Sequence, residues 1–194
     1  AIGPDAVKNF QDTLAKIGIK YDALIAAVDS KTGVVFLFAV DSKKGLVAYT
    51  NQGISGQQEI TTTSFTLKNG KVTQMSGKVF RGDQVINYKQ IIGAEQVQAA
   101  MKDIQSSEIA RGSDADTAFT EVMGKAQQMR EETAADGTLL SRTYLAGTNG
   151  DLRVAASENA VFKDGSVTGY VLRVYDENGE GKVFARTTDT RYAN

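Results

Sequence analysis

The chain has 194 residues, enough for one ample core or two small domains, and 41% of them are hydrophobic. Its 22 basic and 23 acidic residues nearly cancel, so no global field draws a polyanion and non-specific nucleic-acid binding is disfavoured. The lack of His, Cys and Trp removes the commonest general base, the thiolate nucleophile and the usual zinc or iron ligands. It also rules out disulfides, and any bound metal would have to be a hard, oxygen-ligated ion.

Spacing of three and four among Val7, Phe10, Leu14 and Ile17 predicts a helix over Pro4 to Ile17, with Pro4 at its first position and Gly18 as its stop. Strands are predicted at Ala23 to Asp29, Val34 to Val40 and Leu46 to Thr50, joined by short polar turns. A longer loop is expected at Gln52 to Gly56. Strands at Glu59 to Lys68 and Lys71 to Phe80 then flank Asn69-Gly70, a strong hairpin signal, and another follows at Gln84 to Ile92. The run from Ile60 to Leu67 has one largely hydroxylated side, which is expected to be wet or covered by polar groups.

A second helix is predicted from Ala94 to Ile109 through Val97, Met101 and Ile104. Ser113 to Asp116 resembles a capping box and predicts a third helix to about Ala135. Its stripe is Phe119, Val122, Met123, Ala126 and Met129, and Asp136-Gly137 ends it. Strands are then expected at Thr138 to Ala146, Asp151 to Ser157, Asn159 to Lys163, Ser166 to Tyr175 and Lys182 to Thr188.

The chain also echoes itself. Ser64 to Phe80 resembles Asn159 to Tyr175, pairing Asn69-Gly70 with Asp164-Gly165 and Val72-Thr73 with Val167-Thr168. The openings at Gly3 to Val7 and Gly93 to Val97 are similar too. These features predict an α+β fold of two related helix-plus-antiparallel-β-meander units, residues 1–92 and 93–194, the second carrying an extra helix.

No short motif supports a chemistry. Asp176 to Gly181 partly matches a calcium loop but offers Thr187 where a bidentate Glu should close it, which leaves a turn as the simpler reading. Arg81-Gly82-Asp83 is an adhesion tripeptide that is also ordinary turn composition. Lys31-Thr32-Gly33 has no Ser-x-x-Lys to accompany it, and Gly53 to Gly56 lacks a phosphate-loop spacing. The Asp114/Asp116 and Glu131/Glu132 pairs are expected at helix ends or on solvent faces, where helix-dipole stabilisation accounts for the Asp pair. The aromatics, among them Phe36, Phe38, Tyr49, Tyr88, Tyr144, Phe162 and Tyr170, are expected mainly to fill sheet cores.

No catalytic, cofactor-binding or metal residue is therefore assigned. The expectation is a non-enzymatic structural or interaction protein acting within an assembly, such as a virion or cell-surface subunit, through protein partners or self-association. The alternative is a carrier holding a small apolar ligand between helix and curved sheet, suggested by the apolar run Val35 to Val40. Neither nucleic acid nor membrane insertion is expected, since no run approaches the roughly 20 apolar residues of a spanning helix. A start at Ala1 fits either a removed Met or a cleaved export signal, and leaves the compartment open.

Overall fold

Helix α1 (Pro4–Ile17) forms as its pattern dictates: Phe10 and Leu14, one turn apart, are fully buried, and Asp5 and Lys16 sit at the ends that suit the helix dipole. Gly18 takes φ +79°. Its N–H donates to the Ala15 carbonyl while that of Ile19 reaches back to Leu14, which satisfies the last carbonyls and lays Ile19 on the core.

Strands β1 (Ala23–Val28), β2 (Val35–Asp41), β3 (Gly45–Gln52), β4 (Gln58–Thr62), β5 (Ser64–Lys68), β6 (Lys71–Arg81) and β7 (Gln84–Ile92) follow. Helix α2 (Ala94–Ser106) precedes β8 (Ala126–Ala134), β9 (Leu139–Thr148), β10 (Asp151–Lys163), β11 (Ser166–Tyr175) and β12 (Gly181–Thr187). This computed structural model describes residues 4–52, 58–106, 121–122, 124–148 and 150–187. The architecture is α+β, two helices with a predominantly antiparallel sheet.

The chain divides into two compact units, one of residues 1–65 and 76–87, the other of 66–75 and 88–194, so β5, β6 and β7 contribute residues to both. In the first unit the hydrogen-bonded order is β1-β2-β3-β4-β6-β7. Its core sets Phe10 and Leu14 against Leu37, Ala39, Val47, Ala48 and Ile60. In the second, β7 to β12 lie in sequence order, and Val97 and Met101 of α2 join Met129, Tyr144, Ala156, Tyr170 and Leu172.

The echoed segments fold into hairpins with the same turn geometry. Asn69 and Gly70 have φ of 53° and 77°, Asp164 and Gly165 of 52° and 80°, the left-handed pair that a two-residue hairpin turn requires. In each, a Thr hydroxyl donates to the facing carbonyl at 3.3 Å, Thr73 to Thr66 and Thr168 to Val161.

Three expectations need correction. The stretch Ala126 to Ala134, expected as the end of a third helix, is strand β8; residues 121–122 and 124–125 are helical, and the start of that helix at Ser113 lies outside the described residues. A register shift between Ala126 and Gln128 puts the buried Ala126 and Met129 on one face at a spacing of three, a bulge that imitates helical periodicity. Strand pairing then overrides the helix propensity of Gln, Met, Arg and Glu. The Asp136-Gly137 signal is the β8–β9 turn, with Gly137 at φ +91° and its N–H donating to the Ala134 carbonyl.

The run from Glu59 to Lys68 is two strands, broken at Thr63. Conversely, Asp151 to Lys163 is one strand, which passes through Glu158.

Candidate interaction edge

Strand β1 reads Ala-Leu-Ile-Ala-Ala-Val and carries no charge, yet every residue but Leu24 is exposed. Ile25 is 51% and Val28 65% exposed. Among the described residues its one hydrogen-bonded neighbour is β2, in an unbroken antiparallel register from Ala23↔Val40 to Val28↔Val35. The phase of that ladder follows from the Asp29 N–H, which donates to Val34 O at 2.8 Å and makes Asp29↔Val34 a hydrogen-bonded pair. Because such pairs alternate, Ala23, Ile25 and Ala27 turn their backbone groups to β2. Leu24, Ala26 and Val28 turn theirs outward.

The segments flanking β1 are tied down by their own side chains. The Asp22 carboxylate accepts the Ser42 N–H at 2.6 Å, and hydrogen bonds from Ser42 hold its pKa below the ordinary carboxylate range. Asp29 accepts the N–H groups of Lys31 and Thr32, so Lys31-Thr32-Gly33 is a turn, with Gly33 at φ +71°. An ordered strand bearing bare apolar side chains and outward backbone groups is therefore held on display.

Two further exposed apolar residues occupy equivalent places in the echoed hairpins of the second unit. Leu67 is 60% and Phe162 54% exposed, each two residues before its turn. The β5–β6 tip borders a cleft of about 560 Å³ whose lining includes Lys68, Lys71, Val72, Gly93, Glu95 and Gln96. The β10–β11 tip borders one of about 250 Å³ that includes Phe162, Val167, Asp136 and Thr138.

Several of the buried polar residues hold strands together. In the second unit Arg142 lies directly across from Glu131 on β8 and Glu158 on β10. Its guanidinium bonds Glu131 at 3.0 Å and pairs with Glu158 at 3.5 Å, while the Tyr144 hydroxyl donates to Glu158 at 3.0 Å. Glu158 is 0% exposed. Burial disfavours the Arg142 charge, but the pull of Tyr144, Glu158 and Glu131 outweighs it and holds that pKa above its ordinary value. With Glu158 shut away from solvent, the group locks three strands together.

Glu131 and Glu132, expected on a solvent face, are half-buried beside Arg142 and Arg130. Asp114 and Asp116 lie outside the described residues, as does Gly53 to Gly56. Sequence reasoning missed Glu158 because it took this residue for a break between two strands. The usable signal was Arg142, whose spacing from Glu131 and Glu158 suits cross-strand neighbours in a meander.

The hydroxylated side is divided: Thr62 is enclosed, as are its neighbours Thr61 and Thr63, whereas Ser64 and Thr66 are exposed. The Thr62 hydroxyl accepts the Lys78 N–H at 2.9 Å, and that of Thr50 accepts Leu37's at 2.8 Å. Arg81 pairs with the largely buried Glu59 opposite it, which commits the cation of the adhesion-like tripeptide to the sheet. At Asp176 to Gly181 the Asp176 carboxylate accepts the N–H groups of Asn178 and Glu180 at 2.9 Å, as in a self-bonded turn. Among the described residues no group of three or more acidic side chains is placed to hold a metal ion. Nor is any described helix long and apolar enough to cross a membrane.

No protein-family model matches the chain, and no curated protein sequence does. A solved structure of an S. aureus TarM variant bound to fondaparinux, α-GlcNAc-glycerol and UDP aligns at 13% identity over 89% of this chain, with a TM-score of 0.21. The chain spans 24% of that protein's length, and a likeness at this score carries no argument about fold or activity.

Proposed function

We propose that the protein is a non-catalytic structural or interaction component that works within an assembly of chains, as a virion or cell-surface subunit does. The observation that carries this reading is β1: an uncharged, exposed apolar strand with outward backbone donors and acceptors at the end of the strand order. Lone monomers usually guard such an edge with Lys, Pro, a bulge or a covering segment, because it templates strand addition. Here the strand itself contains none of these residues and its register is unbroken. The buried charges and hydroxyls agree with a role in which polar chemistry is invested in rigidity.

The two-module organisation, residues 1–92 and 93–194, belongs to the same proposal. Its support is the matching turn geometry and Thr–carbonyl bonds of the two hairpins, although both tips fall within the second compact unit. The carrier reading has less support, since Phe10, Leu14, Leu37 and Ala39 pack against one another between α1 and its sheet. Light scattering coupled to size exclusion, with negative-stain microscopy, tests the assembly reading. It expects particles larger than one chain or a defined complex with a partner; a strict monomer at high concentration that captures no partner overturns it.

A further inference from the structure

We infer that the partner of β1 is a second copy of this chain, paired antiparallel about a two-fold axis at Ala26. This rests on the assembly reading and names the occupant of the same edge. The backbone phase carries the argument. The outward-facing residues Leu24, Ala26 and Val28 are symmetric about Ala26, so a two-fold there sets Ala26 against itself and Leu24 against Val28 of the second copy. All these are hydrogen-bonded pairs, each exchanging two N–H···O bonds, and no outward group in the strand is left facing a mismatch.

Side chains suit the same register. Ile25 comes opposite Ala27 of the second copy, so the large exposed residue meets a small one on one face. On the other face Leu24 meets Val28. The flanks decide orientation: Lys20 and Asp22 precede the strand, Asp29 and Lys31 follow it. Antiparallel pairing brings the first flank of one copy to the second flank of the other, two cations with two anions at each end. A parallel arrangement would set Lys20 on Lys20 and Asp22 on Asp22. Such an interface is isologous and closed, which consumes the β1 edge of both copies.

The absence of cysteine makes the test direct, because one introduced thiol can crosslink only to its own copy. Hydrogen-bonded antiparallel partners have Cα atoms about 5.5 Å apart, within disulfide range. Mild oxidation of the full-length Ala26→Cys variant is expected to give a covalent dimer. The Ala23→Cys variant, whose two thiols this register places roughly 20 Å apart, is expected to stay uncrosslinked. Wild type should elute at twice the 20.8 kDa chain mass.

Ala26→Pro removes the central outward N–H while leaving the β2 ladder intact, and should weaken the dimer at least tenfold. Should that variant fail to fold, the Ile25→Lys, Ala27→Lys double variant keeps the backbone and places like charges opposite one another, with the same expected loss. A dimer that ignores these changes and gives no Ala26→Cys crosslink overturns the register and leaves the assembly reading standing. A wild type that remains monomeric overturns the self-pairing, and partner capture then decides the assembly reading separately.

Discussion

Strands β1 and β10 invert the usual order of apolar inside and polar outside. The six uncharged apolar residues of β1 are mostly exposed, whereas the centre of β10, Ala155 to Glu158, is buried with its carboxylate fully enclosed. What separates them is position in the hydrogen-bonded order. Strand β10 has a neighbour on each side, and Arg142 and Tyr144 of β9 supply Glu158 with an opposing charge and a donor. Among the described residues β1 has one neighbour, so its side chains have little to pack on however apolar they are. Burial is decided by what the adjacent strands provide, and hydropathy alone mistakes both strands.

The largest effect should come from removing the guanidinium at the centre of the buried row. Arg142→Met leaves Glu158 enclosed without its cation, and breaking a buried pair from one side costs about 3–5 kcal/mol. Urea denaturation followed by circular dichroism measures this. The double variant Arg142→Met with Glu158→Leu should recover most of the loss, since well-packed apolar replacements of a buried pair are often neutral. A single variant that stays within ±0.5 kcal/mol of wild type would mean that Glu158 escapes to water, and the comparison with β1 would collapse.

A smaller loss is expected at Gly77 on β6. A Cβ there would collide with the Thr62 carbonyl oxygen, at the point where the Thr62 hydroxyl also takes the Lys78 N–H. Gly77→Ala must push that backbone aside, and overpacking of this kind costs roughly 1–3 kcal/mol. Unchanged unfolding would show that the β4–β6 junction yields freely.

Thr63 gives the opposite sign. Its buried hydroxyl finds no hydrogen-bond partner among the described residues, whereas its neighbour Thr62 is engaged. Thr63→Val should therefore raise stability by about 1 kcal/mol, and Thr62→Val should lower it by a similar amount. Equal responses of the two would remove the distinction between threonines that stitch strands and one that merely fills space.

The elements that local pattern controls were legible. The first helix occupies Pro4–Ile17 and the strand after the Arg81-Gly82-Asp83 turn occupies Gln84–Ile92, each as spacing predicts; Asn69-Gly70 and Asp164-Gly165 sit at hairpin tips because few other pairs accept positive φ. The stretch Ala126 to Ala134 was not legible, because a bulge gave a strand the spacing of a helix and only its neighbours reveal the difference. Glu158 was hidden for a related reason, as its partners lie on another strand. For β1 the sequence identified the strand but not its place at the end of the order, and that place is what makes it a candidate site.

The smallest effect belongs to exposed acids and marks the other end of the scale from Glu158. Hydrogen bonds from Ser42 to Asp22, and from Thr138 to Asp136, lower these two pKa values from the ordinary 3.8. A depressed folded value means that the unfolded chain binds the proton more readily. Their contribution is therefore complete above about pH 4 and fades as the pH falls through the depressed values. Both groups are open to solvent, which screens the effect, so Asp22→Asn should change neutral stability little and slightly flatten the acid limb of the unfolding curve. Carboxyl-carbon NMR titration of the folded protein checks the premise directly: an Asp22 midpoint at or above 3.8 would show that Ser42 does not fasten the segment leading into β1.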